Sequence, residues 1–242
     1  MRLPKGSSRT RKALTAEQVE DLAALVDPWW RPFVLILAYC GLRPGEGVAL
    51  RRRHLDDLGR LTIEGAMSEH RGRLVEQDTN THRARGVQVP ASVLEELRDH
   101  LDAHVEDRAD APIFTTPTGD RVRLSNWRHR VWQPAATQLE LPSWATPYVL
   151  RHTAASLMAQ RGVPVTAAAA ALGHDPAVFL RTYAHLYPGD LKAVADAMVM
   201  ARGAARGATN DDAGGGGSAR VSRVDFAGMA RRANGTENPH TL

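Results

Sequence analysis

An α+β fold, mainly α-helical with one small three-stranded antiparallel sheet, is predicted for residues 13–200. Three observations carry this reading. Helix punctuation recurs along the chain: a capping box at Thr15-Ala16-Glu17-Gln18, Pro44 placed to open a helix, and Asp175-Pro176 as an N-cap followed by proline. The run Arg31 to Cys40 is apolar nearly all round, which suits a helix at the centre of a core. Between Leu61 and Pro90 the pattern shortens to β-branched, partly alternating runs (LTIEGA, RLVEQ, GVQVP), the mark of short strands.

The elements follow in order. The capping box opens an amphipathic helix with Val19, Leu22, Ala23, Leu25 and Val26 turned inward. The apolar helix 31–40 is closed by Gly41, and Arg43 then stands directly before Pro44, at the entrance of the next helix. Glu46, three residues on, is placed to pair with Arg43 while leaving it able to grip an anion. The triplet Arg51-Arg52-Arg53 reads as a solvated face, with Asp56 and Asp57 close behind. After the strands, Ser92 to His104 forms an amphipathic helix with Val93, Leu94, Leu97 and Leu101 inward. His100 and His104 stand at i, i+4 spacing, but no third ligand is evident and no metal site is expected. Ser125 is read as the cap of a helix bearing Trp127, Val131 and Trp132. Arg121, Arg123, Arg128 and Arg130 gather around that helix as a candidate phosphate-contacting patch. Three further helical segments lie between Leu150 and Tyr183, punctuated by Gly162, Pro164, Gly173 and Asp175-Pro176. Asp190 to Met200 forms the last helix, with Leu191, Val194, Ala195 and Met198 on one side.

Charge divides the chain into three parts. The 242 residues carry a net charge of +4, but five basic groups and no acids fall in residues 1–12, and six basic groups against four acids in residues 201–242. The region between, residues 13–200, holds 20 basic and 23 acidic groups, so overall basicity says nothing of nucleic acid and any such surface must be local. Residues 1–12 read as a basic flexible arm, and the Gly-rich residues 201–242 as a disordered tail. Cys40 is the only cysteine, which excludes an internal disulfide and fits a reducing, cytoplasmic setting. No apolar run has the length of a membrane span.

The chemistry concentrates near the helix junctions from residue 150 onward, where Arg151, His152, His174 and Tyr183 fall. A guanidinium forks onto phosphate oxygens, an imidazole adds a hydrogen bond, and a tyrosine hydroxyl can serve as a nucleophile. That set suits metal-free phosphoryl transfer.

The stretches LRHTAAS (Arg151), LGH (His174) and TYAHL (Tyr183), with CGLRPGE (Arg43 and Glu46) upstream, resemble the boxes of the tyrosine recombinases, or phage-type integrases. The resemblance covers about residues 13–200, the catalytic domain of that family. It implies site-specific recombination on double-stranded DNA, with no membrane and no cofactor. Tyr183 would attack a phosphodiester, giving a 3′-phosphotyrosyl link and a free 5′-hydroxyl, with Arg43, Arg151 and His174 on the non-bridging oxygens. It also implies assembly, as a homo-oligomer (a tetramer on DNA) or with an intact integrase partner. The helical module that relatives carry before this domain is not expected here. Two alternatives remain at this point: a truncated remnant that binds DNA or an integrase without cutting, and a nicking-closing enzyme of the type IB topoisomerase kind.

Two positions depart from the family pattern. Where it carries a histidine three residues before the second arginine, this chain has Tyr148, a hydrogen-bond donor but no cation. Where it carries a lysine in the turn between the second and third strands, this chain has Asn80, and the only lysines are Lys5, Lys12 and Lys192. His82, Arg83 and Arg85 are the neighbouring groups that stand in, and Arg83 and Arg85 are candidate DNA contacts as well. Loss of a general acid costs about 10²–10⁴-fold in rate.

Overall fold

A computed structural model describes residues 12–78, 84–187, 198–200 and 202, in two units, residues 1–188 and 189–242. The Thr15 capping box forms as the sequence expects: Thr15 Oγ1 accepts from the Gln18 N–H at 3.2 Å, and the Gln18 side chain accepts from the Thr15 N–H at 3.0 Å. It opens α1 (Ala16–Leu25), which buries Val19, Leu22 and Ala23. Leu25, expected inward, is 37% exposed, because it follows the buried stripe by a step that turns it toward solvent. Helix α2 (Arg31–Tyr39) is buried from Pro32 to Ala38 and packs on both α1 and α7 (Val149–Gln160), so the apolar run forms the centre of the core. Short α3 (Pro44–Ala49) follows with proline in its first turn.

The sheet differs from the single three-stranded one expected. The LTIEGA run divides at Glu64 into β1 (Arg60–Ile63) and β2 (Gly65–His70). The first half pairs antiparallel with β4 (Arg85–Gln88), and the second forms a hairpin with β3 (Arg73–Asp78). Two two-stranded pairs result. The physical reason is a change of partner within one run: Leu61 and Ile63 bury with Val87, whereas β2 packs Met67 against α3. Gly45 of α3 permits that approach, since a Cβ there would stand 2.5 Å from the Met67 carbonyl oxygen.

Helix α4 (Ala91–His104) buries Val93, Leu97 and Leu101 as expected, with Leu94 half-buried. His100 is also buried, its Nε2 3.0 Å from the Ile113 carbonyl oxygen and its ring stacked on Phe114, which places it in the core. Continuous helix then runs through α5 (Leu124–Trp127), a π-helical turn (Arg128–Trp132) and α6 (Gln133–Gln138). Arg123, rather than Ser125, holds its N-cap position. The Ser125 hydroxyl instead donates to the Glu69 carboxylate at 2.8 Å, tying this helix to β2.

Helices α7, α8 (Val165–Leu172) and α9 (Pro176–Tyr183) share an alanine-rich core of Ala154, Ala155, Ala168, Ala169, Leu172, Phe179 and Tyr183. Small side chains let these helices approach closely. Gly173 caps α8 in the left-handed region at φ 61°, and Asp175 caps α9 by accepting from the Ala177 N–H at 2.8 Å. In the second unit, Met198–Met200 are helical and exposed, Met198 included. The rest of the expected last helix, residues 190–197, lies outside the described residues, as do nearly all of the basic arm and of the Gly-rich tail.

Candidate active site

Three arginines from three elements converge on Glu46. Pro44 starts α3 directly after Arg43, which places Glu46 at the third position of the helix. From there one carboxylate oxygen accepts from the Arg43 backbone N–H at 2.8 Å, and the other from Arg43 Nη1 at 2.7 Å. Arg85 reaches across from β4 and closes a fork on the same carboxylate at 2.6 and 3.0 Å. Arg151 Nη1, from the first turn of α7, stands 3.8 Å away. Burial alone would raise the Glu46 pKa, but the hydrogen bonds and charge of Arg85, the Arg43 N–H and the charge of Arg151 hold it down at about 2.

The second arginine is deeply placed. Arg151 donates through Nη1 to the Gly41 carbonyl at 2.8 Å and through Nη2 to the Leu172 carbonyl, and Nη2 lies 3.0 Å from His174 Nε2. Gly41 and Gly173, both at positive φ, terminate the segments that present these carbonyls and the histidine. Burial, then repulsion from Arg43, lowers the Arg151 pKa to about 10 despite the opposing pull of Glu46. Arg43 is the more accessible of the two, its side chain 19% exposed, and the Glu46 charge raises its pKa against the effect of burial.

The other expected residues complete a ring of contacts. Arg43 Nε donates to the Tyr148 hydroxyl at 3.1 Å. The Tyr148 ring lies 5.9 Å from that of His152, one helical turn on. His152 Nδ1 is 2.6 Å from the Tyr183 hydroxyl. The Tyr183 ring lies nearly parallel to that of His174 at 6.3 Å and 17°, and His174 leads back to Arg151. Glu46, Arg151 and Tyr183 are each 1% exposed, whereas Tyr148 is 42% exposed. Tyr187 stands apart: its hydroxyl is buried without a hydrogen-bond partner among the described residues, and burial raises its pKa.

Outside this ring the expected DNA contacts divide. Arg85 does not face outward: its guanidinium is committed to Glu46 and, through Nε at 3.0 Å, to the Ala171 carbonyl just before the His174 turn. Nothing local in the sequence marks it for that position, since its partners lie 39 and 86 residues away. Arg121, Arg128 and Arg130 are exposed, while Arg123 is half-buried and donates to the Gly72 carbonyl at 2.9 Å. A groove of about 550 Å³ opens beside Arg43 and Tyr148 and is also lined by Met67, Ser125 and Arg128. A second, of about 700 Å³, is lined by Arg121, Arg123 and Arg130. Of the triplet, Arg51 pairs with Glu76 at 2.7 Å and Arg52 with Asp107 at 3.2 Å. Asn80, His82 and Arg83 lie outside the described residues.

Residues 12–189 match the model of the phage integrase family. The chain belongs to that family. As a tyrosine recombinase catalytic domain, it is 30% identical over 200 residues to the integrase of Mycobacterium phage L5, across 78% of this chain and 52% of the phage protein. It is 28% identical over 184 residues to the tyrosine recombinase XerA of Thermococcus kodakarensis, across 71% of this chain and 57% of that protein. Its fold matches a solved structure of the Tn1549 transposon integrase in complex with transposon right end DNA, at a TM-score of 0.67 and 17% identity, over 83% of this chain and 68% of that one. This integrase-family chain thus spans about half the length of the curated relatives it matches. Among its described residues no helix is long and apolar enough to cross a membrane.

Proposed function

We propose that this chain carries out the strand cleavage and rejoining of site-specific recombination on double-stranded DNA. In this reading Tyr183 attacks a phosphodiester to leave a 3′-phosphotyrosyl link and a free 5′-hydroxyl. The observation that carries it is the charge imbalance beside Tyr183: the ion pairs of Arg43, Arg85 and Arg151, among the described residues, all run to the one carboxylate of Glu46. A mostly buried cluster with surplus positive charge is costly unless an anion completes it. A phosphodiester supplies that anion. It would enter from the groove at Arg43 and Tyr148, and Arg151 with its neighbour His174 would join Arg43 on its oxygens.

Each oriented donor on the developing phosphorane charge is worth about 2.7–4 kcal/mol. Tyr148 gives a phosphate oxygen a hydrogen bond without a charge. Because Tyr183 is buried, cleavage requires DNA binding to uncover its hydroxyl by a shift of the segments around it that leaves α9 seated on α7. Arg121, Arg128 and Arg130 hold the flanking backbone, and copies of the chain, or an intact integrase, assemble on the DNA as a tetramer. With Asn80 in place of a lysine, protonation of the leaving 5′-oxygen is the slow step.

The test is a nicked duplex from which the short fragment bearing the freed 5′-hydroxyl diffuses away after cleavage, so that the protein stays trapped on the 3′-phosphate. A covalent adduct that resists denaturant is expected, and a 5′-bridging sulfur should speed its formation. Tight binding of DNA with no adduct on either substrate would contradict the proposal.

A further inference from the structure

The contact between His152 and Tyr183 joins the side chain that must lose a proton to one able to take it. A phenol holds its proton near neutral pH, and its oxygen attacks phosphorus well only as that proton leaves. Imidazole is the side chain whose ordinary titration range spans neutrality. His152 Nδ1 lies 2.6 Å from Tyr183 Oη, inside the range for direct proton transfer. The other candidates are engaged elsewhere. Glu46 is held by Arg43 and Arg85, and His174 turns its Nε2 to Arg151.

The backbone explains the division of labour between neighbours. Arg151 and His152 are consecutive on α7, so their side chains leave the helix about 100° apart. Arg151 points to Gly41, Leu172 and Glu46, and His152 points to α9. Among the described residues, Tyr148 from its own helix and Tyr183 from α9 face the His152 ring, with His174 stacked behind Tyr183.

We infer that His152 is the general base of strand cleavage, an assignment that rests on the recombinase reading above. With Nε2 carrying the ring proton, Nδ1 presents its lone pair to Oη. As Oη forms its bond to phosphorus, the phenolic proton passes to Nδ1, and the leaving oxygen departs with the electron pair of its P–O bond and takes a proton from water. On rejoining, an incoming hydroxyl gives its proton to water as it displaces the phenolate, and imidazolium returns the proton to Oη.

The test uses the full chain and a DNA duplex ending in a 3′-(4-nitrophenyl) phosphate ester. 4-Nitrophenolate departs without protonation, so the rate reports activation of the nucleophile alone and is blind to Asn80. Wild type is expected to release one burst of nitrophenolate matched by covalent adduct. His152→Asn and His152→Ala should slow the burst by about 10²–10⁴-fold while binding the duplex as wild type does. Added imidazole should restore rate to His152→Ala and not to His152→Asn, which refills the space with a group that takes no proton. A burst as fast as wild type in either variant, or a faster one, would overturn the inference and leave His152 a packing contact or a restraint on Tyr183. Loss of duplex binding along with rate, or a His152→Ala rate that imidazole leaves unchanged, would also overturn it in favour of a structural role. No burst from wild type would bring down the recombinase reading itself, and this inference with it.

Discussion

The Arg85 guanidinium and the Glu46 carboxylate form a forked pair at 2.6 and 3.0 Å, joining β4 to the helix that Arg43 opens. The Arg85 side chain is only 10% exposed and that of Glu46 1%. Removing Arg85 leaves Glu46 to Arg43 and Arg151, but takes away both forked bonds and the donor to the Ala171 carbonyl. Arg85→Ala is therefore expected to cost about 1.5–3 kcal/mol in a denaturant titration. Arg85→Lys should recover only part of this, because an ammonium cannot fork or reach the Ala171 carbonyl at the same time. A loss below about 1 kcal/mol, the scale of an exposed pair, would show that the fork is loose in solution.

Acid should loosen the same centre. The folded-state Glu46 pKa is depressed to about 2 from 4.5, so its contribution is fully present above the unfolded value and is lost as pH falls from about 4.5 toward 2. That contribution amounts to about 3 kcal/mol. The stability gap between wild type and Glu46→Gln should be widest near neutral pH and should close through this window. Other carboxylates titrate in both proteins and cancel from the difference. A gap that does not narrow with acid would mean that the Glu46 charge is not what the arginines hold.

Arg43 and Arg151 should separate when stability and cleavage are measured together. Arg151 satisfies the Gly41 and Leu172 carbonyls from a buried position, so Arg151→Ala should unfold the site as well as inactivate it. Arg43 lies at the groove, and Arg43→Lys keeps the charge beside Glu46 while losing the Nε contact to Tyr148. That variant should fold normally and cleave about 10²–10³-fold more slowly. Equal loss of stability in the two variants would assign Arg43 to the scaffold.

The exposed arginines around the π-helical turn offer a surface test. Arg121, Arg128 and Arg130 carry their charge into solvent on a domain with no overall basic excess. Neutralising all three should weaken DNA binding uniformly across sequences and reduce the slope of log affinity against log salt by about three. An unchanged slope would place the DNA elsewhere.

Local chemistry was legible in the sequence, and long-range geometry was not. The Thr15 box, the apolar run 31–40 and the placing of Arg43 before Pro44 each depend on neighbours within four residues. The Arg43–Glu46 pair could be read for the same reason. That Glu46 would also gather Arg85 and Arg151 could not, since those partners are brought by β4 and α7 from far along the chain. The three runs between Leu61 and Pro90 read as three strands because alternation fixes which residues face inward but not which strand pairs with which. His152 stood out as a reactive group, yet only the packing of α7 on α9 brings it to Tyr183.

The most direct measurement is to identify the residue that carries DNA. A 3′-labelled nucleotide left on the protein after nuclease and protease digestion should map by mass spectrometry to the peptide bearing Tyr183. Tyr183→Phe should abolish it while DNA binding persists, since the change removes one hydroxyl and its contact to His152. Label on Tyr187, or an adduct that survives Tyr183→Phe, would contradict the assignment of the nucleophile.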